Sequence, residues 1–143
     1  QLHPLAAQLV ERGVDVVDLE AQVEQALAVL RPLADEGVLV IGSGHVTHNL
    51  RDWMRGGGES QPYAREFSQW VKQRLEDEDI ETLLDYRSKS AHGARAHPTD
   101  EHFLPLFVAL GAAPADAEPQ RVYDAIDGGV LAMDAYVFSS RAP

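Results

Sequence analysis

The sequence contains no cysteine. Disulfides, thiolate catalysis, thiolate zinc sites and cysteine-held iron–sulfur clusters are therefore excluded from its chemistry. Basic residues are also scarce: 12 Lys and Arg stand against 23 Asp and Glu, a formal charge of −11. Such a field repels phosphate backbones, so nucleic acid is not an expected partner. No apolar run approaches the roughly 18 residues of a membrane span, and no signal-peptide pattern opens the chain. A cytoplasmic protein with no membrane partner is the expectation.

What is present suits one domain. The 143 residues, 45% hydrophobic and 24% charged, are enough for a single core. The acidic run "EDEDIE", Glu76 to Glu81, reads as a solvated helix edge rather than a cation site. Six histidines are available: His3, His45, His48, His92, His97 and His102. Any metal chemistry must use nitrogen and oxygen ligands, which suits iron(II), zinc or manganese.

Along the chain, "HPLAAQLVERGVDVV" reads as a short helix, a glycine stop and a strand. A helix follows, with Leu19, Val23, Ala26, Leu27 and Leu30 at helical spacing, weakened at Pro32 and ended at Gly37. "VLVI", Val38 to Ile41, is short and apolar throughout, as in a strand buried on both faces. "RDWMRGGGESQPYA" reads as a loop, and in "REFSQWVKQRLEDED" Phe67, Trp70, Val71 and Leu75 share a helical face. "IETLLDYRSKSAHGARAHPTD" begins as a short helix and dissolves into a polar segment. "EHFLPLFVALGAA" has a helical pattern closed by Gly111, and "APADAEPQ" is a loop. The closing "RVYDAIDGGVLAMDAYVFSS" reads as two strands around Gly128–Gly129. Helices alternating with apolar strands predict a single α/β domain over 1–143, with a mixed or mostly parallel sheet flanked by helices.

Two segments carry candidate chemistry. In "VLVIGSGHVTHNL" an apolar run meets a glycine turn and then His45 and His48. A helix starting near His45 would place the pair on one face, and its positive end would keep an imidazole neutral, as a ligand or general base requires. The other reading is a plain glycine corner with two half-exposed histidines. A dinucleotide loop fits poorly, because Thr47 stands where the last glycine or alanine belongs. In "AHPTDEHFLPL", Pro98 fits a first helical position and His102 would stand one turn into the helix. A histidine there is either a hydrogen-bonded core residue or a ligand. Pro105 would then bend that helix, while His92 reads as a loop histidine and His3 carries no signal.

"DEGVLVIGSGHVTHNLR", "AHPTDEHFLPLFVALGAA" and "GGVLAMDAYVFSS" together resemble the carboxyl-terminal half of class III extradiol ring-cleavage dioxygenases, in the DOPA-dioxygenase-like branch. The resemblance covers about 18–140. It implies ring opening of a small catechol-like aromatic by O₂ at one non-haem iron(II), or zinc(II) in some relatives. It places His48 at the metal as ligand or acid–base residue, and His102 at the same metal. His97 is implied in substrate contact or proton transfer, Asn49 in substrate binding, and His45 as a flanking residue. The family's amino-terminal "HGxP" and "AHW" histidines have no counterpart here, so the resemblance implies an incomplete version of the family's single domain. The missing amino-terminal half or a second subunit would then complete the enzyme. The alternatives are a non-catalytic α/β binding module without a full metal site, or a partner subunit lending its histidines to another chain.

Overall fold

A computed structural model describes residues 29–55 and 60–140. The opening helix and strand, the part of the next helix before residue 29, His3 and the glycines at 56–58 lie outside the described residues. Residues 29–35 are helical, and Gly37 ends the helix at φ +73°. The Gly37 and Val38 N–H groups donate back to the Ala34 and Leu33 carbonyls, a left-handed glycine stop of the kind expected at that position.

The strand expected over Val38 to Ile41 does not form. Residues 38–45 have neither helical nor strand pairing, and Leu39 and Ile41 are 81% and 79% exposed. A strand buried on both faces needs hydrogen-bonding neighbours on its edges, and among the described residues this segment pairs with none.

Six helices follow. α1 (Leu50–Arg55) occupies part of what reads as a loop, and α2 (Pro62–Glu76) is the longest of the described helices. Pro62 begins α2, where its missing N–H is no loss. One face of α2 buries Tyr63, Ala64, Phe67, Ser68, Val71 and Leu75, the face its periodicity indicates, with Trp70 at its edge. Phe67 and Val71 are fully buried against Leu83, Tyr86, Phe103, Phe107 and Val130, each contributing about 1.5–3 kcal/mol. The acidic run closes α2 and opens α3 (Ile80–Leu84). Arg74 pairs with Asp77 and Asp79 at 2.9 Å each, and the Asp79 carboxylate accepts the Thr82 N–H.

The segment expected to dissolve into loop instead forms α4 (Tyr86–Lys89) and α5 (Gly93–Ala96) after α3. Turns over 98–103 lead to α6 (Leu104–Ala112). α6 starts later than its sequence suggests, because Pro105 sits in its first turn, where proline is tolerated, rather than in its interior. Pro98 therefore does not begin the helix, and His102 stands on the turn before it.

The chain ends in β1 (Ala117–Tyr123), β2 (Ile126–Asp127), β3 (Leu131–Ala132) and β4 (Ala135–Ser140). The α/β class holds. Its sheets, among the described residues, are two antiparallel pairs, β1 with β4 and β2 with β3. Gly128 and Gly129, at φ +54° and +74°, turn β2 into β3, as a tight hairpin requires. No described helix is long and apolar enough to cross a membrane.

Candidate metal centre

The segment 42–49 is threaded between the 102–105 turn and β3, and its glycines permit the approach. A Cβ at Gly42 would collide with the Pro105 carbonyl, and one at Gly44 with the His102 carbonyl. The next residues are then fixed by backbone. The His45 N–H donates to the His102 carbonyl (2.8 Å), the Val46 N–H to Ala132 (3.1 Å) and the His48 N–H to Ala96 (2.8 Å). Thr47, fully buried, donates its hydroxyl to the Val130 carbonyl (2.5 Å) and accepts the Ala132 N–H (2.6 Å). Its side chain thereby stands in for a missing strand-ladder rung beside β3. No periodicity marks Thr47, so its role was invisible in the sequence.

This threading gathers three imidazoles. His45, His48 and His102 each offer a ligand atom within 4.8 Å of the others. The His48 and His102 rings stack at 3.5 Å, and the His45 ring lies 5.2 Å from His48 and 6.2 Å from His102. His45 and His48 precede α1 rather than sharing a helical face, so the turn and not a helix period brings them together. Sequence reading had left His45 at the margin, and the structure places it in the cluster.

Electrostatics favour neutral rings. Burial holds the His45 pKa below the ordinary histidine value, reinforced by repulsion from His102. Burial does the same to His48, with repulsion from His102 and His45 outweighing attraction to Glu101. The Glu101 carboxylate lies 3.7 Å from His102 Nε2 and is held in turn by the Thr99 hydroxyl. Neutral imidazoles with free lone pairs are what a metal ion needs.

His97 has a different setting from the substrate contact that the family resemblance suggests. It has no exposed surface, stacks on Phe103 at 4.7 Å, and donates Nε2–H to the Val46 carbonyl at 2.7 Å. Burial pushes its pKa down to about 4. Arg87 grips the His97 carbonyl (2.6 Å) and Asp100, to which the Tyr86 hydroxyl also donates. His97 thus ties the histidine-bearing loop to the core from between His45 and His48.

Asn49 likewise has both ends of its amide engaged. Its Nδ2 donates to the Arg95 carbonyl (2.8 Å) and its Oδ1 accepts the Asp52 N–H (3.1 Å). That is a helix cap on α1, not a free group facing a ligand. An asparagine directly before a helix start is a readable signal for this role.

A cavity of about 360 Å³ opens beside the cluster. His45 and His102 line it together with Phe103, Leu106, Met133 and Tyr136. The lining mixes aromatic and apolar side chains with Ser43, Asp134 and the two imidazoles, a combination suited to a flat aromatic ligand with polar substituents.

Comparison with known proteins identifies the family. Residues 13–128 match the family described as the catalytic LigB subunit of aromatic ring-opening dioxygenase. The chain is 38% identical over 116 residues to a 4,5-DOPA dioxygenase extradiol of Beta vulgaris, covering 81% of this chain and 42% of that protein. It is 37% identical over 138 residues to the one of Portulaca grandiflora, covering 96% and 49%. The crystal structure of an uncharacterized protein from Escherichia coli K12 superposes with a TM-score of 0.69 at 31% identity, over 80% of this chain and 48% of that one. The chain thus spans less than half the length of these relatives. With a family match over most of its residues and a shared fold, the chain belongs to the LigB family of aromatic ring-opening dioxygenases.

Proposed function

We propose that this chain carries the histidine side of the metal centre and part of the substrate pocket of an extradiol dioxygenase acting on a catechol-like aromatic. The observation that carries this reading is the meeting of His48 and His102, from segments more than fifty residues apart, beside a cavity that His102 lines together with aromatic side chains. The donor set fits a metal ion. It consists of half-buried imidazoles, of which His45 and His48 have lowered pKa values, and the His45 Nδ1 atom is buried with no hydrogen-bond partner among the described residues.

In this reading His48 and His102 hold one ion, iron(II) or zinc(II). Bound there, iron(II) would supply Lewis acidity and redox chemistry towards dioxygen. The overall reaction adds both atoms of O₂ to the aromatic and breaks one ring C–C bond beside the two hydroxyls. Phe103, Leu106 and Met133 would seat the ring and keep water from it. His48 can also accept a substrate hydroxyl proton when it is not engaged by the ion, since its neutral form dominates at pH 7. His97 and Asn49 act as positioning residues, the first through the Val46 carbonyl and the second by capping α1.

A second reading is a metal-binding partner subunit without turnover of its own. It is favoured by a clustered candidate ligand set made of histidines alone among the described residues. One experiment separates the two. The iron(II)-loaded chain is given catechol or DOPA under air, with oxygen uptake and the absorbance of the opened ring followed together. Stoichiometric uptake, abolished in His48→Ala, is expected for the dioxygenase, whereas bound metal without uptake would select the partner-subunit reading.

A further inference from the structure

The cluster contains one imidazole more than the family resemblance places at the metal from these segments. We propose that His45 is a further protein ligand, so that His45, His48 and His102 together form a three-imidazole set for one divalent ion. The inference rests on the reading that His48 and His102 hold metal, and adds a ligand to it.

Three independent observations carry it. First, the His45 backbone cannot drift from the site. Its N–H is bonded to the carbonyl of His102, and Gly44 lies so close to that carbonyl that no side chain fits between them. Second, the His45 Nδ1 atom is buried without a hydrogen-bond partner among the described residues. A buried polar atom left in that state is costly unless something supplies a partner. Third, the three ligand atoms already lie within 4.8 Å of one another. Nitrogens around a tetrahedral ion, each bonded at about 2.0–2.1 Å, sit roughly 3.3 Å apart. Closing that gap needs small rotations of half-exposed rings, including unstacking of His48 from His102.

The donor set also guides the choice of probe. Three imidazole nitrogens, with the Glu101 carboxylate 3.7 Å from His102 Nε2, suit a borderline ion such as zinc(II). Cobalt(II) replaces zinc(II) in such sites and reports on them through its visible absorption.

The test titrates the chelator-treated chain with cobalt(II), with zinc(II) as competitor. Wild type is expected to bind one ion with intense visible bands, and His45→Ala to weaken binding about 100-fold or more, exceeding the loss typical of an outer-shell partner. His48→Ala and His102→Ala provide the reference. Loss in both of these, with binding by His45→Ala as tight as wild type, overturns the role of His45 and leaves the two-histidine reading standing. Absence of binding by the wild-type chain overturns both. Should His45→Ala fail to fold, zinc titration of the wild type followed by NMR of the histidine ring nitrogens decides the matter. A His45 nitrogen shifting together with those of His48 and His102 supports the proposal, and a stationary one overturns it.

Discussion

Residues 38–41 and 46–49 lie a few positions apart and differ in every structural respect. Val38, Leu39 and Ile41 are apolar and exposed and join no strand. Val46, Thr47 and Asn49 are buried, although two of the three are polar. The difference comes from what each segment meets. The second is clamped by β3, Ala96, Arg95 and His97, which satisfy its backbone and its polar side chains. The first pairs with no described strand. Burial here follows from available partners and not from hydrophobicity of the segment itself, and the clamped segment is the one that carries the histidines.

Acid should act on the clamped segment most strongly. The buried His97 stays neutral down to about pH 4, while in the unfolded chain it takes up a proton near its ordinary value of 6.5. Below pH 6.5 the unfolded state therefore binds more protons, and stability falls until about pH 4 by an amount on the order of 3 kcal/mol. Above pH 6.5 this residue contributes no pH dependence. Chemical denaturation of the metal-free chain at successive pH values measures the slope, which His97→Gln should flatten. An unchanged slope would mean that His97 is not the group holding the loop.

Thr47→Val tests the same clamp with a smaller effect. Valine fills the space but leaves the Val130 carbonyl and the Ala132 N–H unpaired, a cost of about 2 kcal/mol. A loss near zero in thermal unfolding would show that water or a shifted strand replaces both bonds. The smallest change is expected in the exposed strip. Leu39→Ser and Ile41→Ser should move stability by no more than about 0.5 kcal/mol, because neither side chain is buried. A loss of several kcal/mol would contradict the exposure that separates the two segments.

Much of this was readable in advance, and the exceptions share a cause. The α2 face of Phe67, Val71 and Leu75 follows from its 3.6-residue period, because an amphipathic helix advertises its own core side. The histidine motifs single out His48 and His102 in the sequence itself, and these rings do meet. The Val38 to Ile41 strand failed because strand formation depends on a neighbour that local sequence does not contain. His97 and Asn49 were placed at the substrate because their motif neighbours are there, yet one serves the core and the other a helix cap. His45 was set aside because nothing in one dimension distinguishes a flanking histidine from one that a glycine turn folds back. Only the contact between Gly44 and the His102 carbonyl settles that direction.

The most direct measurement is a crystal structure of the zinc-loaded chain, with anomalous data collected on both sides of the zinc absorption edge. The account expects a single anomalous peak between the His48 and His102 rings, at the wall of the aromatic-lined cavity. A peak elsewhere, or zinc-loaded crystals in which both rings keep their stacked positions without one, would contradict the claim that these histidines form a metal centre.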